Sequence, residues 1–344
     1  MNIITKKIAA FLVICVLFAG GCSHKQAKDI TGYAPGYPLI LDNYDGYAGQ
    51  GRTIRQVFTQ APQRVLAVSA PVIDNLIFLG LQDKIAAVAA DGGGRYEPYE
   101  KEYGQLYKLT KNHAYPSKEA VLAQKPDMII GWGSLFGDDA LGSAGYWHEK
   151  GIHTYVMSNT VPTSASGVRK VENIITDLQN IARIFAAESS RTKDKIDGLK
   201  GRLDRISRQT RELPEKDRPT VVTIQHVYGN EYFGRSYSDM TADIIWQAGG
   251  KALDSGLGGR QSIEYLVEKN PDIIMLVNMQ GKSAALNIEQ LKNNKVLRNV
   301  SAVKNNNFFV IEYRAFYCGS FHTIEAVEKL YDFIAAQRQA NEMF

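Results

Sequence analysis

Apolar residues recur along the chain in two alternating rhythms, and together these predict an α/β protein. Two short β-like runs at 39–41 and 53–58 flank a Gly-rich stretch at 46–51. Short apolar runs bounded by turn residues then follow at 64–68, 85–90, 128–130 and 153–157. Between them, 72–79 and 117–124 carry apolar side chains at helical spacing, with Gly80 closing the first. Strands separated by helices imply a mainly parallel sheet covered on both faces. From 167 to 213 the period is helical: Val168, Val171, Ile174, Ile175, Leu178, Ile181 and Phe185 form one stripe, Ser189 and Ser190 interrupt it, and Ile196, Leu199, Leu203 and Ile206 form a second. A helix from about 190 to 213 is about 35 Å long. Its mixed charges suit a solvated face, and Gly198 and Gly201 weaken its centre. After Pro214 and Pro219 the alternation resumes, with strands at 220–224, 273–277 and 308–311 and helices at 240–248, 263–268, 288–291 and 323–337.

The two halves echo one another. Lys125-Pro126-Asp127-Met128-Ile129-Ile130 matches Asn270-Pro271-Asp272-Ile273-Ile274-Met275, each after a short amphipathic helix. In both, Pro-Asp ends the helical turn and the apolar triplet enters a central strand.

The first 22 residues read as an export signal: Lys6 and Lys7, an apolar run over 8–18, then Ala19, Gly20 and Gly21 before Cys22. The run is too short to cross a bilayer as a mature helix. The segment resembles a bacterial lipoprotein signal, which makes Cys22 the lipidated N-terminus, although Ala19 stands where Leu is usual. Residues 23–38, polar with scattered Gly, Pro and Tyr, suit a tether. Once Cys15 leaves and Cys22 is acylated, only Cys318 remains, so no intramolecular disulfide is expected.

Composition narrows the function classes. In a chain of 344 residues, 44% hydrophobic and 22% charged, there is room for two globular domains and no basis for wholesale disorder. The net charge of +4 falls to about +2 without Lys6 and Lys7, which gives no case for a nucleic-acid partner. His113, His148, His153, His226 and His322 show no metal-ligand spacing, and the glycines of Asp91-Gly92-Gly93-Gly94-Arg95 lack any Walker or dinucleotide continuation and read as a mobile cleft loop. No GxSxG or other activated-serine signature accompanies Gly133-Ser134 or Gly319-Ser320, so no catalysis and no cofactor are expected.

Several segments resemble the class III substrate-binding proteins of ABC importers, the iron-chelate and vitamin B12 binding family. They are Ala61-Pro62-Gln63-Arg64-Val65, Asp74-Asn75-Leu76-Ile77-Phe78-Leu79-Gly80-Leu81-Gln82-Asp83-Lys84-Ile85, Tyr115-Pro116-Ser117-Lys118-Glu119-Ala120-Val121-Leu122, both Pro-Asp strand entries, Ala248-Gly249-Gly250 and Ala302-Val303-Lys304-Asn305. The resemblance covers the chain from about residue 39 onward. It implies an N-terminal α/β lobe over 39–188, an inter-lobe helix over 189–213, a C-terminal α/β lobe over 214–344, and a ligand cleft between lobes. It further implies a monomer that delivers a small-molecule metal chelate to an ABC permease and its ATPase, tethered to the membrane by its lipid. Family members dock through one acidic residue on the outer surface of each lobe; the matching positions are Asp74, where Glu is more frequent, and Glu264.

Ligands of open parallel sheets sit beyond the carboxyl ends of the strands. The loops there point to Trp132, Ser134, Phe136, Tyr228, Arg235, Tyr313, Arg314 and Tyr317 as ligand-binding residues, with Ser69 to Pro71, His226, Tyr232, Asn278 and Gln280 close along the chain. Aromatics at these places stack on a large planar or chelating ligand, and the arginines pair with its carboxylate or catecholate oxygens. The first expectation is a ferric siderophore. Haem or a corrinoid is the alternative, with His226 or Tyr228 as axial ligand; an exported enzyme and a surface adhesin are the remaining classes.

Overall fold

The computed structural model describes residues 35–91, 97–110, 114–162, 169–187, 189–236, 239–253, 258–279, 284–316 and 319–342. The signal segment, Cys22, most of the tether, residues 92–96, Gln280, Tyr317 and Cys318 lie outside them. Tyr37, placed in the tether by composition, donates its hydroxyl to the carbonyl of Ile184 and packs against the core.

Strands β1 (Leu39–Tyr44) and β2 (Thr53–Phe58) pair antiparallel as a ribbon. Their connecting turn rests on the segment 133–136: Tyr47 N donates to Gly133 O and Ala48 N to Phe136 O. Gly46 is required there, since its φ is +75° and a Cβ would sit 2.3 Å from that of Phe136.

The first lobe is built on β3 (Val65–Val68), β4 (Ile85–Ala89), β5 (Met128–Gly131) and β6 (His153–Val156), all parallel, in the order β4-β3-β5-β6. The second lobe repeats this plan. Strands β7 (Thr220–Tyr228), β9 (Lys251–Ala252), β11 (Ile273–Asn278) and β12 (Phe308–Glu312) are parallel in the order β9-β7-β11-β12. To it β8 (Glu231–Gly234) and β10 (Gly259–Ser262) add an antiparallel extension absent from the sequence reading. Both strands are short, and β10 carries no buried side chain, so no apolar run announced it.

The echo between halves has a shared physical role. Asp127 accepts the backbone N–H groups of Gln63 and Arg64 at 2.7 and 2.8 Å, and Asp272 accepts that of Thr220 at 2.8 Å. Each carboxylate therefore pins the entry of the neighbouring first strand. Lys125 and Asn270, one residue before each proline, both take the left-handed conformation, with φ of 48° and 45°.

Alternation along the strands divides the core into three clusters. Leu66, Val68 and Ile129 face a cluster confined to the first lobe; Val222, Ile224, Ile274 and Leu276 face one confined to the second. The opposite faces, Val65, Ala67, Ile130, Val221, Met275 and Val277, join a single cluster that continues through the helices Glu172–Ile184, Ser190–Thr210 and His322–Glu342. In the 21-residue helix Ser190–Thr210, Ile196, Leu199, Leu203 and Ile206 are all buried, each worth roughly 1.5–3 kcal/mol. That outweighs the cost of about 1 kcal/mol at each of Gly198 and Gly201, so the helix runs unbroken. Ser189, read as an interruption, is its N-cap and accepts from Thr192 N at 3.2 Å. Lys195 reaches the carbonyl of Phe78 in the first lobe, while Thr210 bonds the carbonyl of Gln247 in the second. Arg202 and Arg205 clamp Glu328 of the C-terminal helix.

Candidate functional site

In both lobes the strand order reverses beside the first strand, between β3 and β5 and between β7 and β11, and such switch points form crevices at the carboxyl ends of strands. In the first lobe this crevice is bordered by Ser69, Trp132 and Ser134. Ser69 follows β3 with φ of 91°, a conformation costing about 1–3 kcal/mol in a non-glycine residue. It is buried, and its hydroxyl has no partner among the described residues. Trp132 is half-buried and packs on the core shared by the lobes. Ser134 Oγ lies 2.9 Å from the hydroxyl of Tyr115.

The second lobe assembles a compact polar and aromatic group around Arg235. Arg235 donates to Gln225 Oε1 at 3.4 Å, pairs with Asp239 at 2.8 Å, and lays its guanidinium over the ring of Phe316 at 5.2 Å. Gln225 in turn reaches Met279 Sδ at 3.6 Å. Arg169, from the connection that follows β6, donates to the other oxygen of Asp239 at 3.0 Å. One carboxylate therefore serves two guanidiniums, one from the connection that follows the first lobe and one from the second lobe. Arg169, Gln225, Asp239 and Met279 were not predicted. Gln225 lies one residue past the strand read at 220–224, in what is in fact the continuation of β7, and nothing local marks the segment that carries Arg169.

The lobes are pinned at a second point on this side. Asp243 accepts the N–H of Val171 at 2.7 Å, the start of the helix Glu172–Ile184, and burial raises its pKa to about 6.

Three predicted residues lie elsewhere. Asp74, assigned to permease docking on the outer surface, is 0% exposed. It accepts from Arg314 at 2.6 and 2.8 Å and from the Tyr103 hydroxyl at 2.7 Å, so it holds the lobes together and offers nothing to a partner protein. The spacing of helix Ala70–Phe78 is ambiguous on this point, because that helix is buried nearly all round. Arg314, assigned to ligand, is committed to the same carboxylate. Phe136, also assigned to ligand, is 0% exposed and packs with Leu135, Leu141 and Trp147, because the turn Gly133–Phe136 folds it back under the sheet. Tyr232, noted beside the site, is a core residue of β8.

Tyr228 is 41% exposed at the tip of the β7–β8 hairpin, edge-on to His226 at 5.9 Å, with Arg260 5.0 Å over its ring. Tyr313 is half-buried, 6.1 Å from Phe316. Glu264 is exposed at the first residue of the helix Glu264–Lys269. Among the described residues no group of three or more His, Cys, Asp or Glu converges on a metal position, and no helix is long and apolar enough to cross a membrane.

Two α/β lobes, each with a switch point at the carboxyl ends of its strands, are joined by the long helix Ser190–Thr210. The chain belongs to the periplasmic binding protein family, whose profile matches residues 65–315. It is thus an extracytoplasmic substrate-binding protein, not an enzyme. No curated protein sequence matches it. Among solved structures it is similar to a periplasmic binding protein from Veillonella parvula (22% identity, 86% of this chain and 97% of that one covered, TM-score 0.71). It is also similar to a protein of an ABC-type Fe3+-hydroxamate transport system from Saccharomonospora viridis (17%, 86% and 99%, TM-score 0.66). A third is the periplasmic catecholate-siderophore binding protein of Vibrio cholerae (17%, 87% and 100%, TM-score 0.62).

Proposed function

We propose that the protein is the lipid-anchored receptor of an ABC importer, held through Cys22, and that it captures a ferric siderophore and passes it to the permease. The observation that carries this reading is the pair of guanidiniums, Arg169 and Arg235, sharing Asp239 beside Phe316. Ferric catecholates, hydroxamates and carboxylates are bulky and rich in anionic oxygens. Two guanidiniums and aromatic faces from Trp132, Tyr313 and Phe316 match that chemistry. The named ligands of the Saccharomonospora and Vibrio proteins support the same class. Binding is differential: both lobes contact the chelate, and the docked permease lowers that affinity for release. On this reading Trp132, Ser134, Tyr228, Arg235 and Tyr313 contact ligand, and Glu264 meets the permease.

The test is a tryptophan-fluorescence titration with ferric catecholate and hydroxamate chelates, haemin, cobalamin and cobinamide, corrected for inner-filter absorption. Saturable quenching by a ferric chelate is expected, with its amplitude reduced in Trp132→Phe. Trp147 is buried and Trp246 is 45% exposed and stacked on Arg218, so both stay as background reporters and the difference between wild type and variant isolates the part due to Trp132. Saturation only by haemin or a corrinoid transfers the site to a tetrapyrrole, and no saturation by any of these probes overturns the reading.

A further inference from the structure

The contact between Asp74 and Arg314 spans 240 residues of sequence and joins the lobes directly, without using a side chain of the connecting helix. Asp74 belongs to helix Ala70–Phe78 and Tyr103 to Glu100–Gln105, both in the first lobe; Arg314 belongs to the short helix Tyr313–Phe316 and His322 opens the C-terminal helix, both in the second. Arg314 Nη1 donates to both Asp74 oxygens and to the Tyr103 hydroxyl at 2.9 Å, while His322 Nε2 stands 3.6 Å from Asp74 and Nδ1 3.3 Å from Glu325. Next to it, Asn75 accepts the N–H of Phe321 at 3.1 Å. A buried ion pair of this kind contributes little net stability, because desolvation offsets its attraction, yet removing one partner is strongly destabilising.

That arrangement reaches the cleft. The same single helical turn that carries Arg314 presents Tyr313 and Phe316, and Phe316 supports Arg235. We propose that the Asp74–Tyr103–Arg314–His322 cluster is an interdomain latch that sets the spacing of the lobes and the position of the cleft aromatics, and that protonation of His322 tightens it. The affinity consequence rests on the binding reading above; the latch itself does not.

The groups facing His322 are acids on two elements, Asp74 and Glu325, and cations on two more, Arg314 and, beyond Glu325, Arg202; Tyr103 is neutral and Lys329 lies one turn further along the same helix. Burial opposes the imidazolium, yet its contacts with Asp74 and Glu325 prevail and raise its pKa. A raised folded value means that the contribution is complete below the ordinary histidine range and is lost as pH rises through the folded value. Protons have a route, because His322 and Arg314 line a groove of about 640 Å³ between Pro98, β12 and the C-terminal helix.

The experiment uses the full chain with Cys15, Cys22 and Cys318 changed to Ser and spin labels on Leu122→Cys and Leu286→Cys, two exposed positions in opposite lobes. Pulsed dipolar spectroscopy is expected to give a narrow inter-lobe distance at about pH 5.5 and a broader one at about pH 8.5. His322→Gln is expected to remove the pH difference, and Asp74→Asn/Arg314→Gln to broaden the distribution at both pH values. Should that pair fail to fold, Arg314→Lys, which keeps the charge and loses the planar fork, is read in its place with the same expectation. A wild-type-like distribution in these variants overturns the latch, and a pH shift retained in His322→Gln overturns its proton control. A ferric tris-catecholate titrated into the same samples is expected to bind about tenfold more weakly to the double variant. If distances respond while no chelate binds the wild type, the binding reading fails and the latch stands.

Discussion

At the residue scale, burial decided between readings that residue type left open. Phe136 and Trp132 follow the same strand four residues apart, yet one lies wholly inside the first lobe and the other stays at the cleft. Asp177 shows the cost of a buried acid. It accepts from the Tyr155 hydroxyl at 2.8 Å, from Ser158 N at 3.1 Å and from Ser158 Oγ at 2.6 Å, and still burial pushes its pKa up to about 6. A carboxyl raised above its unfolded value near 3.8 contributes stability below that value and loses it as pH rises through about 6. Urea denaturation is therefore expected to show the protein losing stability between about pH 4 and about pH 6 at this site, with Asp243 acting in the same direction. Asp177→Asn flattens that slope, and an unchanged slope refutes the assignment.

At the scale of elements, pattern and structure agree where a long apolar stripe meets the core, whereas short core-facing helices such as Ala144–His148 and Ser301–Lys304 were not read. The stripe Ile196, Leu199, Leu203 and Ile206 located the long helix from spacing alone. Gly198 and Gly201 lie on its outer side, where an added Cβ meets nothing within 4 Å. Each Gly→Ala change is accordingly expected to stabilise the protein by about 0.5–1 kcal/mol in urea unfolding, without altering ligand affinity. Elements outside such a face were illegible. Strands β8 and β10 pair at the edge of a sheet with little burial, and helix Ala70–Phe78 is apolar on so many sides that its spacing does not reveal whether its one acid, Asp74, is hidden.

For the whole molecule, the docking expectation now rests on one acid. Glu264→Ala is expected to leave chelate affinity intact and to reduce uptake by cells severalfold; uptake equal to wild type removes Glu264 from the docking surface. Asp74→Ala, by contrast, is expected to disturb the lobes themselves, since it takes from the largely buried Arg314 the carboxylate it pairs with.

The sequence by itself determined the α/β class, the two halves with their repeated Pro-Asp strand entries, the connecting helix and the family resemblance. These follow from local periodicity and turn chemistry, which neighbours along the chain carry between them. Only the tertiary structure decided that Asp74 binds Arg314, that Phe136 is core, and that Arg169 and Arg235 meet on Asp239. Those contacts join residues up to 240 positions apart. Whether a charge is buried or exposed depends on which surfaces close over it, and no window along the chain contains that information.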